Sequence, residues 1–324
     1  LLIAGDLFDS DNPPQAIIDF VRRQLERLRD TSVNVVIMPG NHDFLSERSV
    51  YKKSFWGDIK NVFVFNDPSV ERKEYPGLGI TIHAKVLNTK NSTESAISRS
   101  SPSNTKYNVM MAHGALIASE GARSRYFDRW PITPDEIKNS KMDYIAIGDF
   151  HGMQDVSQGD VSAWYAGSPE SIAFDQKNAG NVLLVEIDSN GVKVDHVKVG
   201  ERKFDQIDLA LDNVADSHDL KNEILKNADK NLVRKVVLGG FAKPNIFVDE
   251  EALESELGEN FFKLIIIDNS VPQLKDVDYE KYSTDLIVGQ FVALAREKVE
   301  RAESDAEKEI MQKVLQLGLA EFEK

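Results

Sequence analysis

Cysteine is absent from all 324 residues, which excludes disulfides, thiolate metal sites and a cysteine nucleophile. No apolar run reaches the length of a membrane span, and the most apolar window, residues 261–267, is broken by Lys263. No signal-peptide pattern opens the sequence. The first residue is Leu rather than Met, already inside an apolar run, so a fragment whose true N-terminus lies upstream is expected. Positive charge is short: 39 Lys and Arg against 53 Asp and Glu leave a net charge of −14, which argues against a generally adhesive nucleic-acid binder. A local basic track survives in Arg22, Arg23, Arg27 and Arg29, although such a run is more often the wet face of a helix. A Gly-rich phosphate loop, a Gly-x-Ser-x-Gly elbow and a His-Glu-x-x-His helix are all lacking. Histidine is sparse too, with six in all, and this makes the placing of three of them informative.

Four apolar runs each end in polar, metal-competent residues. Residues 33–38 read as a buried strand closing on Pro39-Gly40-Asn41-His42-Asp43. Residues 1–4 close on Gly5-Asp6-Leu7-Phe8-Asp9, residues 107–112 on His113-Gly114, and residues 144–147 on Gly148-Asp149-Phe150-His151-Gly152. Gly and Asn suit the sharp backbone turn at such a strand end. Ligands of open α/β sheets bind at that carboxyl edge, so Asp6, Asn41, His42, His113, Asp149 and His151 are expected to share it. A mixed set of carboxylate, amide and imidazole suits Mn, Fe or Zn better than Ca. A carboxylate such as Asp6 can bridge two ions about 3.5–4 Å apart, and an unligated imidazole beside them can act on a phosphate.

Between these motifs, Asp11 or Asn12 can cap a helix with Pro13 and Pro14 in its first turn, and Ile17, Val21, Leu25 and Leu28 recur at helical spacing. The strand–helix alternation predicts an α/β layered domain. Residues 44–56 are expected as a helix or ordered loop, 62–65 and 79–86 as strands, and the Ser-, Asn- and Thr-rich 88–106 as a mobile surface loop. Residues 114–131 read as a polar connection, followed by a short helix from Thr133-Pro134. Strands near 161–166, 181–187 and 192–199 are expected to complete a second sheet, with Asn190-Gly191 as a hairpin turn. Strand, helix, strand, helix, strand over 204–268 predicts a smaller α+β accessory domain, with Gly258 as a helix C-cap. Residues 285–317 predict one or two helices, with Ile287, Phe291, Leu294, Ile310, Val314 and Leu317 spaced around a charged centre. The expected division is 1–200, 201–280 and 281–324.

In this order the motifs resemble the calcineurin-like metallophosphoesterases. Gly5-Asp6-Leu7-Phe8-Asp9-Ser10 and Tyr165-Ala166-Gly167-Ser168-Pro169-Glu170 are similar to the Mre11/SbcD branch of DNA repair exonucleases. The resemblance implies a layered metallophosphoesterase β-sandwich flanked by helices, with an α+β capping domain and a C-terminal helical segment that docks a partner. It implies two divalent cations, Mn²⁺ by expectation: Asp6 bridges them, Asn41 and His113 hold the second, and His151 holds the first. His42 becomes the non-ligand imidazole that acts on the phosphate. Asp149 stands where the family's Gly-His-x-His has a metal-binding His, and is expected to serve as an oxygen ligand. The family's first motif, Asp-x-His, would lie before Leu1, so this fragment is expected to be impaired as an enzyme.

The function implied is a metal-dependent DNA phosphodiesterase acting in DNA repair in the cytoplasm. Its expected partners are DNA ends, a Rad50/SbcC-like SMC-type ATPase and a second copy in a homodimer, with no membrane. A small-molecule phosphodiesterase or phosphatase, and a catalytically degenerate scaffold for the ATPase, are the alternatives. Other residues carry plainer expectations. Asp9 is a supporting carboxylate rather than a ligand, His83 an ordinary strand residue, and His196 and His218 carry no signal. Arg123, Arg125 and Arg129 fit a DNA groove or a solvated loop equally well.

Overall fold

The computed structural model describes residues 1–29, 31–98, 100–122, 129–243, 246–272 and 279–322. It is a mixed α/β structure in two compact units, Leu1–Glu201 and Arg202–Lys324.

In the first unit, β1 (Leu2–Ala4) leads through α1 (Gln15–Arg29) to β2 (Val35–Met38) and then β3 (Val62–Val64). These three strands form a parallel sheet in that order. A larger sheet takes β4 (Arg72–Tyr75), β5 (Ile80–Ala84) and β6 (Tyr107–His113). After the short pair β7 (Ala115–Leu116) and β8 (Pro131–Ile132) and helix α2 (Pro134–Asn139), it adds β9 (Tyr144–Gly148), β10 (Gln154–Asp155) and β11 (Ser162–Tyr165). The order across it is β10-β11-β9-β6-β5-β4, parallel in the middle and antiparallel at both edges. β1 lies against β6 and β9, so the two sheets meet there.

The middle strands read as unbroken apolar runs because both of their faces are covered. Along β6, Val109 and Met111 join Ile82, Ala84 and Tyr144 in the core shared with α1 and the small sheet. The alternate residues Met110 and Ala112 join Ile145, Ile147, Ala163 and Tyr165 in the opposite core. A period of two thus divides one strand between two hydrophobic layers. α2 starts on a capping box, in which Thr133 accepts from the Glu136 N–H while the Glu136 carboxylate accepts from Thr133.

Several expectations change. α1 begins after Pro13-Pro14, and the Pro14 carbonyl accepts from the N–H groups of Ile17 and Ile18. Its buried face is Ile18 and Leu25 with Val21 and Leu28, whereas Ile17 is 48% exposed. In place of a helix over 44–56 there are two 3₁₀ turns, Val50–Lys52 and Ser54–Asp58, which bury Tyr51 and Trp56. The strand near 161–166 is β11, which pairs with β9 in the large sheet. The remaining two, β12 (Asn181–Asp188) and β13 (Gly191–Lys198), form their own hairpin. Its turn is Ser189-Asn190, with Gly191 already paired to Asp188.

The described residues of 88–106 hold no regular element, yet Ala96, Ile97 and Ser98 are buried. Ser100, Ser103 and Thr105 hydrogen-bond with Thr81, His83 and Asn108 of the sheet. The stretch is therefore anchored to the sheet at these residues, while residues 88–91, 101 and 102 are exposed. His83 is fully buried between Ser100 Oγ at 2.8 Å and Asn108 Oδ1 at 3.0 Å, which accounts for it structurally. Arg123 and Arg125 lie outside the described residues.

In the second unit, β14 (Lys203–Ala210), α3 (Ser217–Leu225), β15 (Leu232–Gly239), β16 (Phe241–Ala242), α4 (Glu250–Leu257), β17 (Lys263–Asp268) and β18 (Val271–Pro272) follow in turn. The parallel sheet β14-β15-β17 shares one core with α3 and α4. Asp216 and Asp249 cap the two helices, and Gly258 ends α4 in a right-handed conformation that runs on into a 3₁₀ turn. α5 (Ile287–Glu300) and α6 (Asp305–Phe322) close on Val292, Ala295, Leu315 and Leu319. Lys313 of α6 reaches Asp212 at 3.7 Å, tying the helical pair to the rest of this unit.

Candidate metal centre

The ends of β1, β2 and β6 bring Asp6, Asn41 and His113 into direct contact. His113 Nε2 lies 3.0 Å from Asn41 Oδ1 and 3.3 Å from Asp6 Oδ2, while its Nδ1 lies 2.7 Å from the Ala4 carbonyl oxygen. Three glycines permit this approach, the first being Gly5, where a Cβ would sit 2.2 Å from His113 Nδ1. A Cβ on Gly40 would sit 2.1 Å from Asp6 Oδ1, and one on Gly148 would sit 1.9 Å from Ala4 O and 2.7 Å from His113 Nδ1. Asp6 itself adopts a left-handed backbone, φ +53°, a conformation that costs a non-glycine residue about 1–3 kcal/mol.

Asp43 holds that conformation in place. Its fully buried carboxylate accepts from the N–H groups of Gly40 at 2.6 Å, Phe8 at 3.1 Å and Asp6 at 3.2 Å, and from the Tyr51 hydroxyl. The loops after β1 and β2 are thus tied to one anion. Burial raises the Asp43 pKa, and these donors offset part of the rise.

The donor arithmetic at His113 bears on a cation. Ala4 O can only accept, so Nδ1 carries a hydrogen. In the neutral ring, Nε2 then turns a lone pair towards two further acceptors, Asn41 Oδ1 and Asp6 Oδ2. Three converging lone pairs repel unless a second proton or a metal ion stands among them. The residues present therefore fit a divalent cation. Burial works against charge on His113, but the hydrogen bond and charge of Asp6 outweigh it and the pKa is raised. Burial would raise the pKa of Asp6, but His113 and the His42 N–H hold it down.

These shifts carry a pH dependence. In the metal-free protein the His113 contribution to stability is full below the ordinary His pKa and fades as pH rises through the raised one. The Asp6 contribution is full above the ordinary carboxylate pKa and fades as pH falls through the lowered one. A metal ion must displace the proton on Nε2. Mn²⁺ affinity should therefore fall up to about ten-fold per pH unit below the His113 pKa and level off above it. Calorimetric titration across neutral pH checks this, and a flat profile would contradict it.

Of the other expected residues, His42 bonds to Asp6 through its backbone, Asp149 interacts electrostatically with His113 and Asp6, and the hydrogen bond of His151 is to Gln176. The His42 N–H donates to Asp6 Oδ1 at 2.9 Å, and its Nδ1 lies 3.0 Å from Asp9 Oδ1. Asp9 is thus a support for His42. Asp149 is nearly buried, at φ +96°, and its Oδ2 lies 3.6 Å from the Arg129 guanidinium. Burial raises its pKa, against the charges of His113 and Arg129. His151 is exposed, with Nδ1 2.7 Å from Gln176 Nε2. Among the described residues, no three His, Asp or Glu side chains gather as a metal-binding group; Asp6 and His113 are joined by the Asn41 amide. Tyr51 and Gln176 complete the surroundings without a sequence signal that points to them, while Arg129, which the sequence left between a DNA groove and a solvated loop, lies beside Asp149. Asp43, by contrast, stood inside the strand-end motif.

The comparisons with known proteins concern the region that carries these residues. Residues 1–153 match the model of the calcineurin-like phosphoesterases. The chain is 28% identical over 202 residues to YhaO of Bacillus subtilis, described as an uncharacterized metallophosphoesterase, covering 59% of this chain and 46% of that protein. It is 24% identical over 264 residues to the DNA double-strand break repair protein Mre11 of Sulfurisphaera tokodaii, covering 77% of this chain and 65% of that one. The protein of the same description from Sulfolobus acidocaldarius is 23% identical over 240 residues, 70% of this chain and 60% of the relative. The chain spans about half to two thirds of the length of these curated relatives. With Asp6, Asn41 and His113 meeting at the strand ends inside the matched region, residues 1–153 are a calcineurin-like phosphoesterase domain.

Proposed function

We propose that the chain is a metal-dependent phosphodiesterase that cleaves DNA from its ends. The observation that carries this is the convergence of the Asp6, Asn41 and His113 acceptors on one point at the sheet edge. Asp6, Asn41 and His113 would hold one ion, and Asp6 with His151 a second, with Asp149 as a further oxygen donor; Mn²⁺ suits this mixed set. Divalent ions there supply charge neutralisation for a phosphate and a lowered pKa for water. The chain's own residues do the rest. Asp9 Oδ1 is acceptor-only, so His42 carries a hydrogen on Nδ1; with a second proton on Nε2 the ring can donate to a phosphate oxygen or pass that proton to the leaving oxygen. Arg129 adds positive charge beside Asp149.

DNA as substrate is supported by the Mre11 relatives, which are named for double-strand break repair. A partner ATPase of the Rad50/SbcC type would dock on α5 and α6, where Ile287, Leu294, Ile310, Val314 and Leu317 are exposed. No helix among the described residues is long and apolar enough to cross a membrane.

One set of assays tests the proposal. Mn²⁺-loaded protein should turn over linear DNA with higher kcat/KM than a chromogenic phosphodiester. A variant lacking residues 285–324 should keep the chromogenic activity and lose capture of the ATPase. No gain from DNA would make small phosphodiesters the substrate. No Mn²⁺-dependent hydrolysis at all by the full-length protein would leave only a scaffold, and unchanged capture would sink the docking role.

A further inference from the structure

The loop that carries Asp149 and His151 also holds an aromatic ring out in solvent. Phe150, between them, is 52% exposed. Yet its ring is not loose. It stands edge-on against Tyr165, with centroids 5.8 Å apart and planes at 73°. Its Cε1 lies 3.1 Å from where a Cβ on Gly152 would be, so that glycine leaves the space the ring uses. The loop backbone is pinned as well, because His151 O accepts from the Ser168 N–H at 2.9 Å.

Tyr165 connects this ring to the metal centre. It is buried, and its hydroxyl donates to Gly114 O at 2.7 Å and accepts from the Leu116 N–H at 3.0 Å. Gly114 directly follows His113. A second exposed apolar side chain, Ile172 at 70%, comes from a loop coupled to the same site. The Ile172 N–H donates to Gln176 Oε1, and the Gln176 amide nitrogen meets His151 Nδ1. Arg129, half exposed, supplies a cation on the Asp149 side.

We infer that Phe150 is a stacking platform for an unpaired nucleobase of the strand whose phosphate is handled at the metal centre. This rests on the phosphodiesterase reading given above. An aromatic ring pre-ordered by its neighbours loses little entropy when a base settles on it. Every base has a π-face, so such a platform favours base over no base without selecting sequence. A paired base inside a duplex already stacks on both faces, so the base that reaches Phe150 comes from a single strand or a frayed end.

The test compares two single strands that differ only at the nucleotide beside the cleaved bond, one with its base and one abasic. Wild-type Mn²⁺-loaded protein should favour the base-bearing strand about ten-fold in kcat/KM, the order that base–aromatic stacking supplies. Phe150→Ala should bring that ratio close to one, and Phe150→Trp should restore it. A readout independent of turnover comes from Phe150→Trp, whose added indole fluorescence should be quenched by the base-bearing strand and not by the abasic one. Equal ratios in wild type and Phe150→Ala, with the hydrolase otherwise active, would overturn this inference alone. Cleavage of neither strand by wild type would overturn the nuclease reading and this inference with it.

Discussion

Asp43→Ala should destabilise the first unit by about 3–5 kcal/mol, the range for removing one partner of a buried charged network. The carboxylate is fully buried and serves four donors, the N–H groups of Asp6, Phe8 and Gly40 and the Tyr51 hydroxyl. A methyl group leaves all four without acceptors in a dry interior. Against a typical domain stability of about 5–15 kcal/mol, that is a large fraction. Asp43→Asn keeps one acceptor oxygen and should fall between the two. Urea unfolding of the three proteins measures it, and an unchanged midpoint in Asp43→Ala would show that these bonds hold nothing. Because the same carboxylate fixes the left-handed Asp6, activity should fall along with stability.

In the full-length protein, His42→Ala should lower phosphodiester turnover by about 10²–10⁴-fold, the usual worth of a positioned acid–base group, with metal content nearly unchanged. The ring makes one resolved side-chain contact, to Asp9, while the backbone N–H that bonds Asp6 survives the substitution. Folding and the metal-binding residues should therefore be spared. Asp9→Ala removes only the group that orients the ring, so its loss should be smaller than that of His42→Ala. A His42→Ala protein that loses an equivalent of Mn²⁺ would show that His42 is a ligand instead.

How much of this was legible follows from how far each signal reaches along the chain. Asp6 and Asn41 end neighbouring parallel strands, so their sharing of one edge can be read from local pattern, whereas His113 ends β6 of the other sheet and arrives only because β1 lies against β6. Asp43 sits in the same motif, but its role depends on residues 6, 8, 40 and 51 together, and nothing local announces that. Ile17 and Ile18 both fit the helical period of α1, and only packing chooses Ile18. β4 is a charged edge strand, Arg72-Lys73-Glu74-Tyr75, with no apolar alternation to reveal it. β11 was recognisable as a strand, but its sheet was not, since pairing with β9 is decided across the chain. The polar residues of 88–106 read as a solvated loop because hydroxyls that satisfy a buried His83 look the same as hydroxyls that face water.

The central claim is that Asp6, Asn41 and His113 surround a cation. Asn41→Ala tests it most directly, because the resolved side-chain bond of Asn41 is to His113 Nε2 and its loss should leave the fold intact. Mn²⁺ titration by calorimetry, with wild type and variant side by side, should show affinity lowered by at least the 10–100-fold seen when groups around a metal are removed. Identical affinity and stoichiometry in the two proteins would contradict the claim.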